Sequence, residues 1–318
     1  MAVDALIGNT GFVGGHLLKQ HAFTNSYNSR TIRDAKNKQF ELVVCAAAPG
    51  SMFEANKFPE RDEIQIKSLI SSLSGITAKQ FVLISTIAVL NDFQAGDDES
   101  TVSFQTVLSY GRNRRVLEEY CTTRFENCMI VRLPALFGAG LKKNFLFDIL
   151  NPMPTMLPQA RFKELQERLS PPLGDYLPKI YRLNIELGLM IIDRNALENS
   201  GLRAFYDKEV AALRLSAVQF TNPDTRFQYY GMERLWMDIQ VAMQAHLSVV
   251  HLAPEPLVAK DVYKALIGEE MPPTEARLHG EDMRTRHAAL WGHGGPYIST
   301  ASEVLSRLQD FFANEKAQ

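Results

Sequence analysis

"LIGNTGFVGGHLL" occupies residues 6–18, and its reading decides the fold. The apolar run "VDALIG" (3–8) has the length of a buried strand, and "GFVGGHLLKQHA" (11–22) has the pattern of a helix. Between them stand Gly8, Gly11 and Gly14 at GxxGxxG spacing. Such glycines occur in ordinary strand-turn-helix corners too. At this place, though, each has a job at a dinucleotide. Gly8 permits the tight turn, Gly11 lets the backbone approach a pyrophosphate, and Gly14 lets helix and strand pack closely. The amides at the helix N-terminus then face the anion. Gly8, Thr10, Gly11, Phe12, Val13 and Gly14 are therefore the candidate phosphate contacts.

The same alternation continues outward. "FELVVCAAAPG" (40–50), "QFVLISTIAV" (80–89) and "CMIVRLPALFG" (128–138) read as strands. Between them, "RDEIQIKSLISSLSG" (61–75) places Ile66, Leu69, Ile70 and Leu73 on one helix face. "RNRRVLEEYCTTRF" (112–125) is a second helix, with Val116, Leu117 and Tyr120 available to pack. Strands alternating with helices predict an α/β chain with a Rossmann-type doubly wound parallel sheet. Ligands of such sheets bind at the strand C-termini.

After Gly138 the texture changes to the proline-rich, irregular "NPMPTMLPQ" (151–159) and "LSPPLGDYLP" (169–178). "VVHLAPEP" (249–256) then resembles a strand returning to the sheet, followed by the helix "LVAKDVYKALIG" (257–268). The expected organisation is a nucleotide-binding domain over 1–140. A smaller C-terminal substrate lobe follows over 141–318, with segments near 247–270 returning to the first sheet.

Bulk properties narrow the function. The chain of 318 residues is 46% hydrophobic and 22% charged, ordinary for a globular protein, and its formal net charge is -2. No global field favours nucleic acid or an anionic membrane. No run approaches the roughly 18 apolar residues of a membrane helix. Three cysteines without a CxxC pair give neither a disulfide framework nor a zinc site, so a cytoplasmic location is expected. His246 and His251 lack the HExxH pattern, no GxSxG elbow is present, and no P-loop lysine follows the glycine turn. No metal is expected.

The choice of dinucleotide falls on the end of the second strand, within "TNSYNSRTI" (24–32). An NAD site usually carries an acidic residue about twenty residues beyond the turn. Here Asn28, Ser29 and Arg30 stand at that end, and Asp34 lies beyond it. Ser29 and Arg30 suit a 2'-phosphate, which favours NADP over NAD; a solvated arginine is the plain alternative.

Two further features complete the pattern. "LISTIAV" ends a buried strand on Thr86, and "SYGRNRRVLEEY" (109–120) puts Tyr110 and Arg114 four apart on one helix face. With the glycine turn, these residues resemble the extended short-chain dehydrogenase/reductase superfamily, more narrowly its nucleotide-sugar epimerases and reductases. The resemblance covers most of 1–140 and, more loosely, the returning segments.

It implies that Tyr110 is the acid/base, Thr86 its hydrogen-bonding partner, and Arg114 the cation that positions the cofactor ribose. The chain departs from the family's YxxxK pattern at Arg114, which supplies charge and a planar fork but releases no proton near neutral pH. "CAAAPG" (45–50) resembles the family's small-residue turn, so Ala46, Ala47 and Ala48 are candidate cofactor contacts. "VRLPALFGAG" (131–140) resembles the segment that turns toward the substrate lobe, which adds Leu133. Ile87 and Ala88 stand where the family's dehydratases carry Asp-Glu, which argues against sugar dehydration.

For a nucleotide-linked sugar, Lys142, Lys143, Asn144 and Arg226 are the candidate contacts. Gln228, Tyr229, Arg284, Arg286 and His287 offer further polar groups, each equally readable as surface. A homodimer is the family expectation. Two rivals remain: an NADPH-dependent reductase of a non-sugar carbonyl compound, and a cofactor-binding regulator without turnover.

Overall fold

Strand β1 (Asp4–Ile7) leads through the glycine turn into helix α1 (Phe12–Gln20), the first pair in a computed structural model that describes residues 3–317. The chain continues through β2 (Asn25–Tyr27), β3 (Gln39–Cys45), α2 (Met52–Lys57), α3 (Pro59–Leu73), β4 (Thr77–Thr86), α4 (Ser109–Arg124), β5 (Cys128–Leu133) and β6 (Ala135–Phe137). A second stretch supplies α5 (Phe145–Leu150), β7 (Met156–Pro158), α6 (Gln159–Arg168), α7 (Pro171–Ile180), β8 (Tyr181–Asn184), β9 (Leu189–Ile192), α8 (Arg194–Asn199) and α9 (Arg203–Ala212). Then come β10 (Arg226–Phe227), β11 (Tyr229–Gly231), α10 (Leu235–Gln244), β12 (Val249–His251), β13 (Leu257–Val258), α11 (Ala259–Ile267) and α12 (Ala301–Lys316).

Six strands form one sheet in the order β12-β5-β4-β3-β1-β2, and every pairing in it is parallel. This is the doubly wound sheet that the alternating pattern predicts. Because side chains alternate across a strand, the sheet sorts its apolar residues into two cores. Ala5, Ile7, Val43, Cys45, Phe81 and Leu83 pack on one face against Ile66 and Leu73 of α3 and Leu117 and Cys121 of α4. Leu6, Val44, Val82, Ile84 and Val131 pack on the other against Leu17 of α1 and Leu235 and Ile239 of α10. Val116, expected to pack, is instead exposed, because Leu117 takes the sheet-facing position on α4.

The chain divides into two compact units. The first holds the chain up to Gly140, then Arg226–Leu257 and Gly280–Phe311. The second holds Leu141–Thr225, Val258–His279 and the segment from Phe312. The return to the first unit thus begins at Arg226, earlier than the segment near 247 marked by its apolar run, and a second return follows at Gly280.

Two local readings change. The apolar stretch 128–138 is two strands rather than one. Pro134 carries no N–H for a ladder and separates β5 from β6, which pairs in parallel with β11. The proline-rich 169–178 is largely helical, as α7. Pro171 and Pro172 sit in its first turn, where no donor is needed. Pro178 lies inside the helix and leaves the Gly174 carbonyl without its intrahelical donor. The Gln166 side chain supplies one at 3.3 Å. Within the second unit β7, β9 and β8 form a small antiparallel sheet.

Candidate active site

The glycine turn is built as a cradle. Gly8 has φ +96°, a conformation that favours glycine, and a methyl group there would sit 2.5 Å from the Ala46 carbonyl oxygen. At Gly14 a methyl would sit 2.1 Å from the Gly8 carbonyl oxygen, so α1 closes directly on the turn. Gly11 is different. A methyl there would meet only Gly8 O at 3.4 Å, an ordinary contact, so packing of the protein alone does not demand glycine.

Gly11 also caps α1 without a side-chain hydrogen bond, which leaves the first amides of the helix free of any side-chain acceptor. Thr10 and Gly11 are exposed at this mouth, and Phe12 and Val13 are half-buried. Asn9, which the glycine spacing gives no reason to single out, donates to Ser26 Oγ at 3.0 Å. Its own carboxamide oxygen is buried with no partner among the described residues.

β2 ends at Tyr27, and Asn28 folds the following turn by accepting from the Arg30 amide at 2.9 Å. Ser29 and Arg30 are exposed on that turn. Ala46, Ala47 and Ala48 follow the end of β3 and are half-buried. Leu133 is buried in the sheet core opposite Thr86 in the β4–β5 register, so it has only backbone to offer a ligand.

Tyr110 and Thr86 come together for a reason the sequence does not display. α4 presses on the turn after β4 through Gly111, where a methyl would stand 1.8 Å from the Ala88 carbonyl oxygen. The residue before this glycine is Tyr110. Its backbone amide, which an uncapped helix start would leave orphaned, donates to Asn56 Oδ1 of α2 at 2.9 Å. Gln105 Oε1 accepts from the Val107 and Leu108 amides and fixes the approach to the helix. Thr86 ends β4, accepts from the Ala88 amide at 3.1 Å, and lies near enough to the Tyr110 side chain to act on its phenol. Burial pushes the Tyr110 phenol above its ordinary value, while Arg114 and Thr86 act the other way.

Arg114 is almost fully buried, and its guanidinium lies 4.0 Å from the centre of the Tyr110 ring. Nη1 binds Asp62 Oδ2 at 2.5 Å and the Tyr110 carbonyl at 3.2 Å; Nη2 binds the Pro49 carbonyl at 2.5 Å. Nε is buried without a partner among the described residues. Asp62, on α3, also accepts from Asn113 Nδ2 at 2.8 Å. Asn56, Asp62 and Asn113 all escaped the sequence reading; the only available signal was a lone aspartate within the apolar spacing of α3.

The candidate sugar contacts are not brought together in one unit. Lys142, Lys143 and Asn144 belong to the second unit, where Asn144 caps α5 by accepting from the Leu146 and Phe147 amides at 3.0 and 3.3 Å. Arg226 is exposed in the first unit. Gln228 is buried and knits Pro254 and Met283 together through their backbones. Arg284 is paired with Asp282.

A six-stranded parallel sheet with helices on both faces and a glycine turn opening α1 define a Rossmann-type doubly wound α/β fold. No protein-family model and no curated protein matches the chain. Solved structures do. A dTDP-4-dehydrorhamnose reductase from Bacillus anthracis, in complex with NADP, is 13% identical, with 99% of each chain covered and a TM-score of 0.60. The RMD protein from Pseudomonas aeruginosa, complexed with NADPH, is 12% identical over 99% of each chain, also at 0.60. A UDP-N-acetylglucosamine 4-epimerase from Bacillus cereus is 13% identical over 100% of this chain and 98% of its own, at 0.59. What the chain shares with these proteins is the fold. No helix among the described residues is long and apolar enough to cross a membrane.

Proposed function

We propose that the chain is an NADP-dependent oxidoreductase or epimerase acting on a nucleotide-linked sugar, with Tyr110 as its acid/base. The observation that carries the reading is the closing of α4, through Gly111 beside Tyr110, onto the Ala88 turn that Thr86 caps at the C-terminal end of β4, in the same unit as the glycine turn. The residues present fit a dinucleotide. Gly11 leaves room that packing does not need, the α1 amides have no side-chain acceptor, and the Asn9 carboxamide oxygen is an acceptor without a donor. Ser29 and Arg30 stand exposed with no carboxylate beside them on their turn, which suits a 2'-phosphate. The fold likeness to proteins solved with NADP and NADPH supports the same choice.

A bound nicotinamide supplies or accepts hydride at the substrate carbon. The chain's own residues handle the proton. Thr86 holds the substrate oxygen, and Tyr110 gives its phenolic proton to that oxygen as the carbon takes hydride, or removes it in the reverse direction. Ala46, Ala47 and Ala48 keep the strand edge low where the cofactor passes. Arg226, exposed in the first unit, is a cation that the reading assigns to the substrate's phosphates. The same fold in sugar-nucleotide reductases and epimerases supports that substrate class.

The test is NADPH oxidation, followed by nicotinamide absorbance, across a panel of nucleotide-linked keto-sugars, with substrate epimerisation read by NMR. The expected result is turnover of at least one member, abolished in Tyr110→Phe while NADPH binding persists. Turnover unchanged by Tyr110→Phe overturns the assignment of the acid/base.

A further inference from the structure

Arg114 stands where the resembling family carries lysine, and its surroundings show what accompanies that change. The two terminal nitrogens of the guanidinium are engaged by Asp62, Pro49 and the Tyr110 backbone. Asp62 is 3% exposed and Arg114 2%, so the pair is shut away from water and is not weakened by solvent screening. Asn113 donates to the same carboxylate oxygen that Arg114 binds. The carboxylate therefore has a fixed orientation, and the guanidinium has little freedom to reach toward a ligand. It lies over the Tyr110 ring instead, 4.0 Å from its centre.

We infer that Asp62 is a positioning residue of this site: it pins Arg114 against the Tyr110 ring and balances the arginine's charge. The inference rests on Tyr110 being the acid/base, as proposed above, and deepens that reading. A lone cation four residues from a tyrosine favours the phenolate, the form that removes a proton. A cation paired with a buried carboxylate does so far less. The charged groups that act on the phenol are Arg114 from its own helix and Asp62 from α3.

With the two charges opposed, the arginine's pull on the phenol is offset and the effect of burial, which raises its pKa, remains. The O–H bond of Tyr110 breaks as the new O–H bond forms on the substrate carbonyl oxygen. A bound reduced nicotinamide would supply the hydride to the carbonyl carbon, and the phenolate left behind would regain its proton from water.

The test needs neither cofactor nor sugar. The phenolate ultraviolet band of the whole chain is followed through alkaline pH, with Tyr110→Phe subtracted to isolate one side chain. Asp62→Asn, which keeps the shape and frees the cation, is expected to raise the ionisation constant of Tyr110 about tenfold. Arg114→Gln is expected to lower it by a similar factor. The double variant Asp62→Asn/Arg114→Gln removes both charges, keeps the site readable if the single Asp62 variant fails to fold, and is expected to lie within about threefold of wild type. An unchanged Tyr110 titration in folded Asp62→Asn overturns the proposal. So does a double variant that matches Arg114→Gln alone. Because this readout is independent of turnover, its failure leaves the oxidoreductase reading to its own assay, and a chain without turnover still titrates.

Discussion

Alanine at Gly14 and alanine at Gly11 are one methyl group each, three residues apart, and the structure predicts opposite phenotypes for them. At Gly14 the new carbon lands 2.1 Å from the Gly8 carbonyl oxygen and 3.1 Å from Asn9 Cα. Ordinary contact begins near 3.4 Å, so the shortfall is about 1.3 Å. The obstacle is backbone, held by the Gly8 and Asn9 amides donating to Tyr27 O at 2.7 and 3.2 Å, and it cannot swing aside. Overpacking of this kind costs about 1–3 kcal/mol. For a unit of about 200 residues a loss near 2 kcal/mol lowers Tm by roughly 4–8 °C. At Gly11 the backbone has φ -77° and ψ 167°, which any residue adopts, and the only neighbour is at ordinary distance. Gly11→Ala is expected to leave Tm within about 2 °C of wild type, since a methyl in open space changes stability by about 0.5 kcal/mol or less. It is expected to weaken NADPH binding about tenfold or more, because the methyl stands where a pyrophosphate must approach the backbone. Differential scanning calorimetry and isothermal titration with NADPH measure the two effects separately. If Gly11→Ala loses as much Tm as Gly14→Ala, or binds NADPH as wild type does, the division of labour within the turn is refuted.

Other consequences follow from groups away from the turn. Glu118 binds the buried Arg132 through both oxygens, at 3.0 and 2.7 Å, and also accepts from Ser85, so Glu118→Ala strands a buried cation and is expected to cost about 3–5 kcal/mol in urea unfolding. A loss below 1 kcal/mol contradicts that. His251 accepts from Arg132 at Nε2 and donates from Nδ1 to the Arg284 carbonyl, a neutral tautomer. Burial, with Arg132 adding to it, holds the imidazole below its ordinary value against the opposing pull of Glu99. A folded value below the unfolded one means that the unfolded chain takes up the proton first. This contribution to stability is therefore full above the unfolded value of about 6.5 and lost as pH falls below it. The wild-type fall in urea midpoint between pH 7.5 and 5 is expected to be steeper than in His251→Gln; identical slopes contradict the assignment. Asn144 caps α5 at a positive φ of 98°, so Asn144→Ala loses the cap and keeps the strained backbone, for about 0.5–2 kcal/mol of destabilisation, while Asn144→Gly loses the cap but relieves the strain. Equal stability of the two variants would count against the strain.

The sheet was legible because its signals are local. β1, β3, β4 and β5 are apolar runs of strand length, and the turn after β1 concentrates three glycines within seven residues. The Tyr110–Arg114 spacing is local too. What pairs with it is not. Asp62 is 52 residues from Arg114, and nothing in "RDEIQIK" separates a buried carboxylate from the charged face of a helix. Gly111 likewise looks like a helix-weakening residue until the Ala88 carbonyl is placed against it. Asn144 was legible as a polar residue after a glycine turn, but its capping role depends on where α5 begins. Pro178 reads as a helix breaker, and only the reach of Gln166 from the preceding helix shows how the break is mended.

The most direct measurement of the central claim is isothermal titration of the intact wild-type chain with NADPH and, separately, with NADH. The account predicts one NADPH per chain, bound at least tenfold more tightly than NADH, with the preference abolished in Arg30→Ala. A chain that binds neither dinucleotide contradicts the reading of the glycine turn and the function built on Tyr110.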